Sequence, residues 1–160
     1  MRTKSFLIAG LVPLIGGTTS YAQQKERPNV IFILTDDMGI GDLSCYGASL
    51  PITTPHLDQM ASEGIRFTQY YCASPISSPS RAGLLTGQHP ARWNITSYLQ
   101  SKEGNRNAEM ADYLDPKAPS LPRMLKESGY KTAHFGKWHL GGGRDVKNAP
   151  SIIEYGYDEY

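Results

Sequence analysis

Short apolar runs alternate along the chain with amphipathic segments. Residues 29–35 (NVIFILT) form a continuous apolar run rich in branched side chains, which is typical of a strand buried on both faces of a parallel sheet. Residues 65–71 and 130–135 are further strand candidates. This order predicts an α/β fold in which helices flank a mostly parallel sheet. Ligands of such sheets bind beyond the carboxyl ends of the strands, so chemistry is expected there.

Three helices are predicted among these strands. Each starts at a hydroxyl cap and ends at a glycine, the pairs being Thr54 and Gly64, Ser78 and Gly87, and Ser120 and Gly129. Proline at the first helical position supports the first two starts. The side chains predicted to face inward are Leu57, Met60, Ala61, Leu84, Leu85, Leu121, Met124 and Leu125. Residues 88–119 are polar and rich in proline, and we interpret them as mostly a surface loop, with substrate contacts as the alternative.

The first 22 residues have the order of a secretory signal peptide. Arg2 and Lys4 form a basic start, a ten-residue apolar run follows at positions 6–15, and Ser20 to Ala22 is a small-x-small site. The run is too short to span a bilayer comfortably; a buried N-terminal strand or an uncleaved anchor is the alternative. The predicted organisation is therefore a signal peptide over residues 1–22 and a single catalytic portion over residues 23–160, exported to the periplasm or outside a bacterial cell.

Composition excludes several classes of protein. The 16 Lys and Arg residues nearly balance the 15 Asp and Glu residues, whereas a nucleic-acid binder would have a basic excess. Two cysteines are too few for a disulfide-dense domain or a four-cysteine zinc site. Export would permit a Cys45–Cys72 disulfide, and two free, half-buried thiols are the simpler interpretation.

The first candidate site is Asp36-Asp37, directly after the first predicted strand. Two adjacent carboxylates repel each other unless a positive charge lies between them. A hard divalent cation, Ca²⁺ or less readily Mg²⁺, meets this need with oxygen ligands. A solvated turn is the alternative.

The second candidate is the segment Ser77-Ser78-Pro79-Ser80-Arg81. Ser77 is expected just outside the N-terminus of a helix, where free N–H groups and the helix dipole favour an anion. Its hydroxyl could attack an anionic ester, and the Arg81 guanidinium could bind a tetrahedral oxyanion or orient the nucleophile. A capped loop without chemistry is the alternative.

The third candidate is Gly136-Lys137-Trp138-His139, which closes the third predicted strand. Lys137 and His139 would share one face if the strand continued. A cation and an imidazole on one face suit anion binding and proton transfer. A surface lysine and a capping histidine are the alternative.

Together these segments resemble the N-terminal part of the type I sulfatases, in the alkaline-phosphatase-like superfamily, from about Arg27 to Tyr160. The resemblance is carried by the opening strand with Asp36 and Asp37, by SSPSR with LTG at residues 77–87, by GYKTA and GKWHLG at residues 129–141, and by YGYDEY at residues 155–160. It implies an alkaline-phosphatase-like fold and the hydrolysis of sulfuric esters of sulfated carbohydrates.

The resemblance also implies residue roles. Ser77 would be converted to formylglycine, whose hydrated form attacks sulfur. Asp36, Asp37 and an oxygen of residue 77 would hold Ca²⁺. Arg81 would stabilise the modified residue, Lys137 would bind sulfate, and His139 would help the sulfated adduct break down. The partners implied are a sulfated glycan or other sulfate ester and a maturase acting on Ser77, with no nucleic acid and no membrane after signal cleavage.

Two features depart from the family pattern. Serine stands where many members carry cysteine, which resembles the subgroup matured by a radical S-adenosylmethionine enzyme. The chain also lacks the family's later metal ligands and leaving-group acid, so the sheet is expected to be incomplete and these 160 residues alone are expected to be inactive. The alternatives are a phosphatase or phosphonate hydrolase that uses unmodified Ser77, and a non-catalytic remnant.

Overall fold

A computed structural model describes residues 27–47, 51–141 and 146–160 of the chain. The predicted signal peptide lies outside the described residues, as do two of the three glycines after Leu140. The chain divides into two units, Met1–Leu34 and Thr35–Tyr160. All four α-helices of the described residues belong to the second unit: α1 Pro55–Glu63, α2 Ser77–Thr86, α3 Lys102–Asn107 and α4 Leu121–Glu127. No helix within the described ranges is long and apolar enough to cross a membrane.

Helices α1 and α4 lie where the sequence predicts them. Thr54 is the N-cap of α1 with proline at the first position, and the Gly64 N–H donates to the Met60 carbonyl at 2.9 Å. Ser120 precedes α4, and Gly129 follows its end with a φ of 85°, a left-handed conformation that favours glycine. Local capping chemistry was sufficient to predict both helices.

Most of the predicted inward side chains of these two helices are exposed instead, and only Ala61 and Leu125 are half-buried. Leu57 and Met60 of α1 and Leu121 and Met124 of α4 are all exposed. These side chains were expected to cover a sheet, and the described residues contain no β-strand. The prediction of their burial is wrong because a helix face is buried only by a partner surface.

None of the three predicted strands forms a β-ladder in the structure. The described residues contain only one isolated β-bridge, a parallel pair between Ala133 and Glu159. The large apolar side chains of residues 30–34 are between 43% and 85% exposed, so the prediction of a strand buried on both faces is wrong for these residues. A buried parallel strand needs hydrogen-bonded neighbours at both edges and cover on both faces. None of the described residues forms a β-ladder with residues 29–35.

Residues 88–119 contain structure that the sequence interpretation missed. A 3₁₀ turn covers Pro90–Trp93, and α3 begins after Ser101, whose hydroxyl accepts a hydrogen bond from the Gly104 N–H at 3.2 Å. This segment also supplies five of the buried apolar side chains: Ile95, Leu99, Met110, Leu114 and Ala118. A plain surface loop is therefore the wrong description.

The core of the second unit joins this segment to α2 and to the C-terminal part of the chain. Leu85 of α2, Leu114, Leu140 and Tyr155 are buried together. The Tyr155 hydroxyl donates to the Leu114 carbonyl at 2.5 Å, and the Leu114 N–H donates to the Leu140 carbonyl at 3.0 Å. Trp138 packs edge-on against Tyr155, with ring centres 5.0 Å apart. These contacts hold the residues around position 138 next to α2.

Both cysteine thiols are free. Cys45 is half-buried and Cys72 is exposed. The simpler interpretation of the two cysteines therefore describes this structure, except that only one of them is half-buried.

Candidate functional site

Ser77 is the first residue of α2. The N-cap is Ile76, with an extended backbone, rather than Ser78 as predicted. The Ser80 N–H donates to the Ile76 carbonyl at 3.0 Å, so the helical hydrogen bonds begin one turn beyond Ser77. The Ser77 side chain therefore lies at the positive end of a ten-residue helix, where an anion is favoured.

Lys137, in the third of the candidate segments, contacts the other two. Its Nζ donates to the Ser77 Oγ at 3.0 Å and to the Asp36 Oδ2 at 2.6 Å. The three residues are separated by up to 101 positions in sequence. The ammonium group therefore supplies the positive charge beside Asp36 that the adjacent carboxylates required.

Arg81 completes the cluster from the next turn of α2. One terminal nitrogen pairs with the Asp36 Oδ1 at 3.4 Å, and the other donates to the Lys137 carbonyl at 2.8 Å. Its side chain is only 12% exposed, and its Nε has no hydrogen-bond partner among the described residues. Arg81 thus holds the backbone of Lys137 as well as the carboxylate of Asp36.

These two cations change the chemistry of Asp36. The hydrogen bond from Lys137 is the largest cause that lowers the pKa of Asp36 below its ordinary value, and the Arg81 charge adds to it. Partial desolvation acts in the opposite direction. The carboxylate is therefore held in its charged form.

Asp37 takes a different conformation from its neighbour. Its φ is 60°, in the left-handed region, and its side chain is exposed. The described residues contain no group of three or more His, Cys, Asp or Glu side chains that could hold a metal ion. The donor chemistry of Asp36, Asp37 and the Ser77 hydroxyl fits a hard cation, but Ca²⁺ takes about six to eight oxygen ligands, and further ones would be needed.

His139 does not share a face with Lys137. Its φ of 53° ends the extended backbone, so the alternation assumed for a continuing strand fails. The His139 Nε2 lies 3.0 Å from the Leu99 carbonyl, and Nδ1 is buried without a partner among the described residues. The prediction of a shared face is therefore wrong, although both residues still lie in one short segment.

Sequence reasoning missed Ser78 and Leu99. Ser78 is fully buried, and its hydroxyl accepts a hydrogen bond from the Leu99 N–H at 3.0 Å. No signal in the sequence identifies Leu99, because its backbone makes these bonds and any residue has the same backbone groups. Its burial at 2% exposure follows only from tertiary packing.

The cluster is suited to an anionic ester. It places a hydroxyl, an ammonium and a guanidinium at the start of a helix. A carboxylate held in its charged form lies against both cations. A tetrahedral oxyanion bound here would meet two positive side chains and a potential nucleophile.

Comparison with known proteins identifies the family of the chain. A model of the Sulfatase family matches residues 28–160. The chain belongs to the sulfatase family. It is 43% identical over 142 residues to an N-acetylgalactosamine-6-O-sulfatase of Bacteroides thetaiotaomicron, covering 85% of this chain and 26% of that sulfatase. It is 40% identical to the steryl-sulfatase of Mus musculus, covering 83% of this chain and 21% of that protein.

A solved structure shares the sulfatase fold. It comes from work on the metabolism of multiple glycosaminoglycans by Bacteroides thetaiotaomicron and superposes with a TM-score of 0.70 at 41% identity. The match covers 83% of this chain and 28% of that chain. This sulfatase chain therefore spans about a quarter of the length of the relatives that it matches.

Proposed function

We propose that the protein hydrolyses sulfate esters of a sulfated carbohydrate, with residue 77 as the nucleophile after conversion of Ser77 to formylglycine. One observation carries the proposal: the Lys137 Nζ contacts the Ser77 Oγ and the Asp36 carboxylate together, which brings three sulfatase segments to one point. The carbohydrate substrate is supported by the Bacteroides relative, whose name is N-acetylgalactosamine-6-O-sulfatase.

The chemistry explains the conversion. Oxidation of the Ser77 CH₂OH group to an aldehyde removes two protons and two electrons, and a radical S-adenosylmethionine maturase is the oxidant. Hydration adds water and gives a geminal diol. One diol hydroxyl loses its proton and its oxygen attacks sulfur; the bridging S–O bond of the substrate breaks, and the bridging oxygen gains a proton and leaves as the alcohol. The second diol hydroxyl then loses its proton, the C–O bond to sulfate breaks, and the aldehyde returns; a serine sulfate ester has no second hydroxyl and would persist.

The chain's own residues supply binding and proton transfer. Lys137 and Arg81 lie beside Ser77 and Asp36, so they hold the negative charge of the sulfate group. His139 donates from Nε2 to the Leu99 carbonyl, because a carbonyl oxygen only accepts. In the neutral ring, Nδ1 then has a free lone pair and takes the proton of the second hydroxyl.

Asp36, Asp37 and an oxygen of residue 77 would hold Ca²⁺, with Mg²⁺ as the less suitable ion, and the bound cation would polarise the sulfate oxygens. We expect the 160 residues alone to bind Ca²⁺ weakly and to lack turnover, because the part of the chain that the structure describes brings no third acidic side chain to these residues. The segment 1–22 directs export to the periplasm or the outside of the cell, where sulfated glycans are met.

Mass spectrometry of the peptide that contains residue 77 tests the proposal. The full-length gene product is made with and without a radical S-adenosylmethionine maturase, and the aldehyde is expected only with it. Ser77→Ala abolishes sulfate release, whereas Ser62→Ala, an exposed serine on α1, does not.

Substrate arms identify the reaction class. Release of sulfate from N-acetylgalactosamine-6-sulfate, and not from a steryl sulfate, is the expected result. Phosphate release with unmodified Ser77 would instead establish a phosphatase or phosphonate hydrolase. Binding of sulfate without any turnover by the matured protein would establish a non-catalytic remnant.

A further inference from the structure

The backbone of Leu99 connects the helix that carries Ser77 to His139 through the two peptide groups on either side of its Cα. Its N–H donates to the Ser78 Oγ at 3.0 Å, and its carbonyl lies 3.0 Å from the His139 Nε2. Ser78 is 0% exposed and Leu99 is 2% exposed, so water cannot replace either partner without a rearrangement of the core. One backbone unit therefore joins the residue after the nucleophile to the imidazole.

This bridge determines which nitrogen of His139 carries the proton. The Leu99 carbonyl can only accept, so the neutral ring is protonated on Nε2. Nδ1 is buried and has no hydrogen-bond partner among the described residues. A buried nitrogen without a partner is costly and is retained where a ligand or a reacting group supplies the partner.

We propose that Ser78 is a positioning residue for His139: its hydroxyl holds the Leu99 N–H and so fixes the backbone of Leu99, whose carbonyl selects the Nε2–H tautomer and presents Nδ1 as a proton acceptor. The role of Nδ1 as acceptor rests on the proposed sulfatase function. The selection of the tautomer does not, because it follows from Ser78, Leu99 and His139 alone. Ser78 touches neither substrate nor reacting atoms.

NMR of the imidazole nitrogens shows whether Ser78 only stabilises the fold or also sets the tautomer of His139. The ¹⁵N shifts of His139 are measured near pH 8.5, about two units above the ordinary histidine pKa, so that neutral rings report their tautomer. The 160-residue chain shows Nε2–H. In Ser78→Ala the Nδ1–H form gains population, and the Leu99 amide exchanges about tenfold faster because it has lost its acceptor.

Ser120→Ala is the matched control. Ser120 is 1% exposed, and its hydroxyl donates to the Tyr155 carbonyl at 2.5 Å, so it is also a buried serine bonded to the backbone. This variant leaves the His139 tautomer and the Leu99 exchange rate unchanged. If Ser78→Ala does not fold, Ser78→Thr is compared with Ser78→Val. Threonine and valine side chains have similar shapes, and only threonine keeps a hydroxyl that can accept from the Leu99 N–H.

Kinetics of the matured, full-length protein add a second readout. Ser78→Ala or Ser78→Val lowers kcat by about 10- to 100-fold with KM within about twofold, and Ser78→Thr restores it. An unchanged His139 tautomer in the alanine and valine variants would overturn the proposal, even if the Leu99 amide exchanged faster. If the tautomer shifts as expected while no form of the protein releases sulfate, the proposed function fails and the positioning role of Ser78 stands.

Discussion

Two segments, residues 29–35 and residues 88–119, show the opposite of the burial that their sequences suggest. The first segment is the most apolar run outside the N-terminus, yet its side chains are exposed, and Ile31 is 85% exposed. The second is polar and rich in proline, yet it provides Ile95, Leu99 and Leu114 to the core. An apolar run shows that burial of the segment would be favourable in free energy. Whether the segment is buried depends on the surfaces that the rest of the chain packs against it.

The helices also differ from one another in burial. The faces of α1 and α4 that were predicted to cover a sheet are exposed, whereas Ala82 and Leu85 of α2 are buried against the segment 88–119. The candidate site lies where contacts are made within the second unit, through Ser77, Arg81 and Lys137. The geometry of the site therefore depends on the segment that looked least structured.

The largest expected effect on stability is the difference between a buried leucine and an exposed isoleucine. Leu114→Ala removes a side chain that is 0% exposed and should lower the free energy of unfolding by about 2–5 kcal/mol. Ile31→Ala should change it by less than about 0.5 kcal/mol, because Ile31 is exposed. Urea denaturation of the 160-residue chain measures both. Equal losses would contradict the contrast, and a large Ile31 effect in a longer form of the protein would show that the segment is buried there.

A smaller effect is expected from a buried amide in α3. The Asn105 side chain accepts from the Gln100 N–H at 2.9 Å and donates to the Gln100 carbonyl and to Asp112. Asn105→Ala leaves these half-buried groups of Gln100 and Asp112 without this partner and should cost about 1–3 kcal/mol. Asn107→Ala, at an exposed position of the same helix, is the control and should have almost no effect. Thermal unfolding followed by circular dichroism compares them, and similar Tm values for the two variants would mean that the segment is a loop after all.

Acid should weaken the one β-bridge of the described residues. The hydrogen bond from Lys126, followed by that from the Thr132 backbone, lowers the pKa of Asp158 to about 2. A lowered pKa stabilises the folded state above the unfolded value of 3.8, and this stabilisation is lost as the pH falls through about 2. Asp158→Asn should therefore reduce the fall in stability between about pH 4 and pH 2. An unchanged pH profile would show that Asp158 does not stabilise this pairing.

The smallest effect on stability is expected from charge in the exposed segment. Ile33→Lys should change the free energy of unfolding by less than about 0.5 kcal/mol, because Ile33 is 75% exposed. The same change should reduce self-association of the chain, since charged side chains oppose the pairing of open strand edges. Light scattering at increasing protein concentration measures this. Scattering equal to that of the unchanged chain would show that residues 29–35 do not drive association.

Four of the six predicted site residues come together as the motifs suggested. The sequence was sufficient to choose Asp36, Ser77, Arg81 and Lys137. Three of them are charged and Ser77 lies at the predicted start of a helix, and these features favour binding of an ion. Asp37 stays a prediction as a metal ligand, because the described residues bring no further acidic group to it. The role of His139 stays a prediction as well, and its contacts differ from the expected ones, because the alternation rule assumes an extended backbone and its φ is 53°.

The sequence by itself determined the local features of this sulfatase chain. Caps and glycines marked α1 and α4, and the motifs marked the family, whereas Ser77 as the nucleophile stays a prediction. Tertiary structure alone decided that Lys137 joins Ser77 to Asp36, that Leu99 joins Ser78 to His139, and that residues 88–119 form core while residues 29–35 do not. The physical reason is range: caps and turns act within a few residues, whereas burial and backbone partners between distant segments exist only once the chain has folded.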